Sequence, residues 1–305
     1  MLTARNFFIF NLASSDLLLC FITMPLTLFE ILSQYWPFGS SNFVCKGSGY
    51  LQAISIFVST ISITAISIDR YQVILYPTTD GLQKYGAIKI IVAIWLISLI
   101  LSLPIFLNRK IIYYELRPLL EVIFKIDKIY YCIEEWPFDY GRAYYSFFSL
   151  IWQYLLPLLI ISIAYLQIFC SLKGRNKQQQ MRNDRFRKTN ILITLIAIIF
   201  GLSWLPINLF NLYSDLVLAD SSLTDSHIIF YAFCHMVAMS SACFNPLLYG
   251  YFNDNFRKGF KEQLKCTLIR QICCTHFEEI ENKENRNISH LKTQKTLTTN
   301  STELI

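Results

Sequence analysis

Six stretches of this chain are apolar over enough length to cross a lipid bilayer, and nothing else in the sequence constrains its fold as tightly. They run Phe7–Leu32, Gly47–Ile74, Ile88–Leu107, Tyr145–Leu172, Ile191–Tyr213 and Ile228–Tyr251. A helix needs roughly 20 mostly apolar residues to span the hydrocarbon core. No water is available there to pair a bare N–H or C=O, so each run must close its own backbone hydrogen bonds as a helix. Lys89, at the start of the third run, has a side chain long enough to reach the interface. Pro25, Pro157, Pro206 and Pro246 each remove one backbone donor and kink their helices, which membrane bundles tolerate. Composition agrees: 54% of the 305 residues are hydrophobic and 16% charged, against about 25% charged in soluble chains. That balance excludes a soluble enzyme, a secreted disulfide scaffold and a disordered chain. The expected fold is all-α, a transmembrane bundle of six spans.

The basic residues orient it. Lys173, Arg175, Lys177, Arg182, Arg185, Arg187 and Lys188 stand together against the single acid Asp184, and Arg257, Lys258, Lys261 and Lys265 follow the last span. Lys and Arg accumulate on the cytoplasmic side, which places that connector and the C-terminus there. The segment 212–227 has no Lys or Arg and carries Asp215, Asp220 and Asp225, so it faces outward. Counting back, Met1–Arg5 is cytoplasmic, and it enters the first span with no signal-peptide pattern. The net charge of +6 belongs to these loops and attracts anionic lipid; nothing in it calls for nucleic acid.

Nine cysteines divide by place. Cys20, Cys170, Cys234 and Cys243 lie within spans and read as small apolar packers. Cys45 and Cys132 face outward, and two thiols in an oxidising compartment are disulfide candidates. Cys266, Cys273 and Cys274 follow the last span and are palmitoylation candidates. The histidines are scattered, with no zinc-site spacing.

Polar residues within the spans fall on single helical faces. The first span has Asp16, Thr23 and Thr27; the second Gln52, Ser55, Ser59 and Ser62; the fifth Trp204, Asn208, Asn211 and Asp215; the sixth His235 and Asn245. Together they imply a polar cavity entered from outside and continuing inward to Asp16. Ser55 and Ser62 are equally explained by bonds to their own helix backbone. Asp16, Asp69 and Arg70 resist that reading, since an ionisable group at membrane depth costs ~2.5–3.5 kcal/mol even on the gentler scale. Asp215, one turn beyond Asn211, suits a bound cation.

These residues spell an ordered set of motifs: Asn11-Leu12-Ala13-Ser14-Ser15-Asp16, Asp69-Arg70-Tyr71, Trp95, Phe200 with Ser203-Trp204-Leu205-Pro206, and Asn245-Pro246-Leu247-Leu248-Tyr249, then Phe252 and Phe256-Arg257. The set resembles rhodopsin-like G-protein-coupled receptors over nearly all of Thr3–Lys265. Within that family Cys132–Pro137, Arg187–Asn190, Phe200–Asn208 and His235–Ser241 are similar to neuropeptide Y and invertebrate neuropeptide F receptors. The six spans then correspond to helices two to seven. The expectation is a fragment of a longer receptor lacking its first helix, with a genuine truncated product as the alternative.

The resemblance implies a bundle with an interfacial helix over 1–265 and a disordered cytoplasmic tail over 266–305. It implies a plasma-membrane receptor, not an enzyme, for a C-terminally amidated peptide ending in an Arg-aromatic-amide pattern. Thr27, Gln52, Asn211, Asp215 and His235 match pocket positions, with aromatic surface from Tyr50, Phe210 and Trp204. Gln52 stands where amine receptors carry Asp, which argues against an amine ligand. The activation switch would comprise Asp69, Arg70, Tyr71, Trp204, Pro206, Phe200, Tyr165, Asn245, Pro246 and Tyr249, with Thr60 and Pro157 in the packing between. Asp16, Ser59 and Asn245 resemble an allosteric sodium site, weakened by Ser241. Phe186, Arg185 and Arg187 replace the acid that would hold Arg70 from the fifth span. No other cofactor is implied. The partners are a heterotrimeric G protein of the Gi/o type, arrestin, and membrane lipid. Thr293–Thr302 offers phosphorylation sites, though a plain polar tail explains it equally. Another short amidated peptide, or a truncated receptor that does not signal, remains open. Outside the family, a six-span transporter or channel would need internal repeats or paired broken helices, and a membrane enzyme would need a nucleophile–base cluster. Neither pattern is visible.

Overall fold

The computed structural model describes residues 4–33, 35–76, 82–115, 128–173, 180–217, 224–252, 257, 259 and 262. Its helices are α1 Ala4–Leu18, α2 Met24–Ser33, α3 Asn42–Leu75, α4 Lys84–Asn108, α5 Gly141–Ser149, α6 Leu156–Lys173, α7 Gln180–Val217 and α8 Asp225–Phe252. Short π-helical turns at Leu19–Thr23 and Leu150–Leu155 join α1 to α2 and α5 to α6. Six segments are long and apolar enough to cross a membrane: Asn6–Ser33, Asn42–Leu75, Lys84–Asn108, Gly141–Ser171, Thr194–Val217 and Asp225–Leu248. All six expected spans are there. The unit Met1–Leu248 carries them; the second compact unit begins at Tyr249. The expected interfacial helix falls mostly outside the described residues, as do the palmitoylation candidates Cys266, Cys273 and Cys274 and the tail 266–305.

Three features were not anticipated. Each π-turn ends two residues before a proline, Pro25 or Pro157. Proline supplies no N–H to the helix ladder, and a widened turn is one way for the chain to absorb that loss. Helix α7, which carries the fifth span, starts at Gln180, inside the basic connector, because a polar surface helix leaves no apolar run to mark it. Third, the outer loop between the third and fourth spans holds a β-hairpin, β1 Arg109–Glu115 against β2 Lys128–Glu134. Its antiparallel register sets Arg109 opposite Glu134 and Ile111 opposite Cys132.

The second span is the hub. Of its most apolar stretch 61% is buried, against 17% for the third span. Ile54 and Val58 pack on Ile94, with Trp95 alongside. Asn11 ties three spans together. Its Nδ2 donates to Ser62 Oγ at 2.8 Å, and its Oδ1 accepts from Trp95 Nε1 at 2.8 Å. A buried amide in hydrocarbon must find such partners, so Asn11 fixes how these helices are rotated. Phe10, Phe21, Leu166, Phe233 and Leu247 lie exposed on the outer surface, as expected where the solvent is lipid. Of the four cysteines in spans, only Cys234 is buried; Cys20 is half-buried, and Cys170 and Cys243 are exposed on the bundle surface. Cys170 and Cys243 thus stand where a small apolar side chain meets lipid rather than the core.

Candidate functional site

The hairpin closes over one end of the bundle. Cys45 and Cys132 form a disulfide, with Cα atoms 5.7 Å apart, joining the start of the second span to the middle of β2. Around it runs a chain of charges. Arg109 Nη2 lies 3.5 Å from Glu30 Oε1, and Arg109 Nε lies 3.8 Å from Glu134 Oε1. Arg109 Nη1 also donates to the Cys45 carbonyl at 3.2 Å and to Ser48 Oγ at 3.1 Å. Arg142 Nε lies 3.9 Å from Glu134 Oε2 and 2.9 Å from Asp215 Oδ1. Ser146 Oγ donates to Asp215 Oδ2. The order Glu30, Arg109, Glu134, Arg142, Asp215 alternates in sign and links the first span, the hairpin, and the fourth and fifth spans. Gly49 makes room for it: a Cβ there would meet the Arg109 guanidinium at 2.7 Å. Such pairs hold geometry more than they add stability, since desolvation offsets most of the attraction.

Deeper in, Thr27 Oγ1 donates to Gln52 Oε1 at 2.8 Å. That leaves the Gln52 N–H donors without a hydrogen bond among the described residues. His235 is buried, and its Nε2 has no partner among the described residues. Its ring lies 5.7 Å from Tyr231, which meets Phe210 at 5.9 Å. Asn211 is half-buried on the fifth span. Of the five expected pocket residues, Thr27 and Gln52 bond to each other. Asn211, Asp215 and His235 bond to none of the other four among the described residues.

Farther from the hairpin, Phe200 and Trp204 stack with centroids 5.7 Å apart, and Trp204 Nε1 donates to Ser241 Oγ at 3.0 Å. Beneath them Asp16 Oδ1 accepts from Ser59 Oγ at 3.1 Å, and Asp16 Oδ2 accepts from Asn245 Nδ2 at 2.8 Å. Ser15 and Ser59 share a hydrogen bond of 2.8 Å. Asp16, Ser59 and Asn245 line a cavity of about 20 Å³ with Trp204 and Ser241, room for one water-sized particle. One carboxylate among hydroxyl oxygens is a hard-oxygen donor set. Its one negative charge matches that of a monovalent cation. Ser55 donates only to its own helix, to the Leu51 carbonyl at 2.9 Å, which is the backbone reading its sequence left open.

At the opposite end Arg70 pairs with its neighbour Asp69, with Nε 3.0 Å from Oδ2. The Tyr165 hydroxyl is buried without a hydrogen-bond partner among the described residues. It lines an apolar gap of about 900 Å³ between the fourth and fifth spans. Tyr154 crosses the head of that gap and donates to the Gly201 carbonyl at 2.7 Å. Pro206 and Pro246 lie inside α7 and α8. The side chains of Tyr249, Arg185, Phe186 and Arg187 lie outside the described residues.

Sequence reasoning missed Glu30, Arg109, Arg142 and Ser146. Glu30 was detectable, being an ionisable side chain inside an apolar run. The two arginines sit just outside spans, where basic residues are ordinary.

Residues 1–249 match the model of the 7 transmembrane receptor (rhodopsin family). The Drosophila melanogaster neuropeptide F receptor is 55% identical over 274 residues, covering 87% of this chain and 56% of the relative. The Homo sapiens neuropeptide Y receptor type 4-2 is 31% identical over 297 residues, 95% of this chain and 76% of the relative. The Rattus norvegicus neuropeptide FF receptor 2 is 37% identical over 275 residues, 86% and 65%. The chain thus spans little more than half the length of the Drosophila relative. With six membrane-spanning helices, the motifs in order and these likenesses, the chain is a multi-pass membrane protein, not an enzyme, and belongs to the rhodopsin family of seven-transmembrane receptors, of the neuropeptide Y and F type.

Proposed function

We propose that this chain binds a C-terminally amidated peptide ending in an Arg-aromatic-amide pattern and passes that event to a heterotrimeric G protein of the Gi/o type. The observation that carries the reading is Asp215, a carboxylate held nearly out of solvent at the end of the charge chain under the hairpin and already engaged by a guanidinium. A buried carboxylate that pairs with one guanidinium can take an arginine fork. Below it, the free Gln52 N–H donors and His235 Nε2 offer both a donor and an acceptor, which a terminal carboxamide needs and a free carboxylate does not. The basic connector and tail support a plasma-membrane orientation with hairpin outside and C-terminus inside.

Signalling follows as a population shift: a ligand that binds one arrangement of the bundle better raises its share. The ligand presses from the hairpin side on the Trp204–Phe200 stack. Pro206 gives the fifth span a joint at that level. Motion there releases Arg70 from Asp69 and brings it toward Tyr165, whose unpartnered hydroxyl is ready to accept a donor. Asp16, Ser59 and Asn245 would hold a sodium ion, which supplies a countercharge that keeps the carboxylate from collapsing onto a neighbour. Arrestin binding to a phosphorylated tail completes the proposed set of partners.

The test is binding and nucleotide exchange in membranes carrying the full chain and a Gi/o heterotrimer. A peptide ending in Arg-Phe-NH2 is expected to bind and stimulate exchange; its free-acid twin is expected to be at least about tenfold weaker, the equivalent of ~1.4 kcal/mol. Equal potency of the two overturns the amide assignment, and binding without exchange makes the chain a binding-only receptor. A second result concerns the ion. Raising sodium at constant ionic strength lowers agonist affinity of the unaltered chain severalfold, and Asp16→Asn removes that dependence. Sodium sensitivity that survives Asp16→Asn places the ion elsewhere.

A further inference from the structure

Among the described residues, the charge chain at the hairpin end holds one more anion than cation. Three carboxylates, Glu30, Glu134 and Asp215, alternate with two guanidiniums, Arg109 and Arg142. A ligand bringing one guanidinium would balance it at three and three. The pair where that charge is missing is uneven. The Asp215 side chain is 4% exposed and Arg142 is 57% exposed. The acid is fixed and enclosed, while its partner stands at the surface and already has a second acid, Glu134, at 3.9 Å.

We propose that Arg142 is a stand-in for the ligand's arginine, occupying Asp215 in the empty receptor and transferring to Glu134 when the ligand guanidinium arrives. This rests on the arginine-ended ligand proposed above. Both Asp215 oxygens are engaged, one by Arg142 and one by Ser146. A ligand fork needs both oxygens, and a second guanidinium beside Arg142 would set two like charges in contact. Exchange frees Oδ1 and keeps the two guanidiniums apart, and Oδ2, with two lone pairs, accepts the ligand's second N–H beside Ser146. The order becomes Glu30, Arg109, Glu134, Arg142, then Asp215 with the ligand, and the alternation of sign survives. Asp215 is never left buried and unpaired, which would be the costly intermediate. Arg109 keeps Glu30 at 3.5 Å when Glu134 takes on Arg142. The device also sets specificity. The incoming group must satisfy an enclosed carboxylate as Arg142 leaves it, so arginine, with a planar fork, succeeds where lysine, a point charge with no fork, does poorly.

The experiment measures binding to membranes carrying the full chain. The probes are a peptide ending in Arg-Phe-NH2 and the same peptide with citrulline for arginine, which keeps the shape and removes the charge. Arg142→Gln is expected to raise affinity for the arginine peptide about tenfold, because the internal competitor is gone, and to leave the citrulline peptide within twofold. Arg142→Lys, which keeps the charge and the helix, should fall between. Glu134→Gln is expected to weaken the arginine peptide in the unaltered background, but to have no further effect once Arg142 is glutamine, the coupling that a transfer between the two requires. A preference for arginine over citrulline together with weaker binding in both Arg142→Gln and Arg142→Lys overturns the exchange and makes Arg142 a positioning residue for Asp215. Equal binding of the two peptides to the unaltered chain overturns the ligand reading itself, and the exchange with it.

Discussion

Asp215→Ala is expected to weaken a peptide ending in Arg-Phe-NH2 by roughly 10²–10³-fold, about 3–4 kcal/mol, while the citrulline form of the peptide changes little. The size follows from enclosure. The Asp215 side chain is 4% exposed, so a guanidinium that reaches it is shielded from water and salt as an exposed pair is not. Without the carboxylate, the ligand's charge is left in a desolvated mouth with no acid of its own. Fold and surface delivery should survive. Alanine is the strongest helix former, and Arg142 retains Glu134 at 3.9 Å. Losses from Asp215→Ala and from citrulline should not add, since each removes one half of the same pair. Full additivity, or unchanged affinity with normal surface expression, removes Asp215 from the binding site.

How much of this was legible in the chain depends on what leaves a mark along it. The spans are legible because a bilayer demands an unbroken apolar run, and Asp16 because an acid in such a run is expensive enough to need a reason. Helical spacing placed Asp16, Ser59 and Asn245 each on a polar face, but that the three meet was implied by the family resemblance alone. The charge chain was not legible. Arg109 and Glu134 meet through a hairpin register, and Arg142 and Asp215 meet across two spans; neither pairing has a period in sequence. The hairpin left a faint trace in its β-branched and aromatic residues, Ile111–Tyr114 and Ile129–Tyr131, but two short strands without a core are weak as a sequence signal. Asp215 was expected to meet a ligand's cation; in the structure it meets Arg142 of the chain itself, a pairing that spacing along the sequence does not announce.

Cys132→Ser is expected to lower peptide affinity at least about 100-fold and to cut the number of binding sites, and a reductant should do the same to the unaltered chain. The argument is local rather than a matter of overall stability. In a membrane the spans remain helical when a bond between loops is lost, so the chain-entropy figure for a loop of this separation, 87 residues, overstates the effect. What depends on the bond is the hairpin. A lone two-stranded sheet is marginal in water. This one is also held by Trp36 N–H to the Tyr130 carbonyl at 2.7 Å, Glu135 N–H to the Asn108 carbonyl at 2.8 Å, Ile111 N–H to Asn42 Oδ1 at 3.3 Å, and the Arg109 side chain to the Cys45 carbonyl and Ser48 Oγ. Arg109 and Glu134 stand at its base, opposite each other and within a few residues of Cys132. Releasing β2 therefore separates Glu134 from both arginines at once. Arg109 would keep Glu30, and Arg142 would keep Asp215, but the transfer partner for Arg142 is gone. The double variant Cys45→Ser/Cys132→Ser separates this from damage by a stray thiol: if unpinning the hairpin is the cause, it matches the single variant. Affinity within threefold of the unaltered chain in the double variant shows that the other contacts hold the hairpin alone, and the disulfide then serves delivery to the membrane rather than the geometry of the mouth.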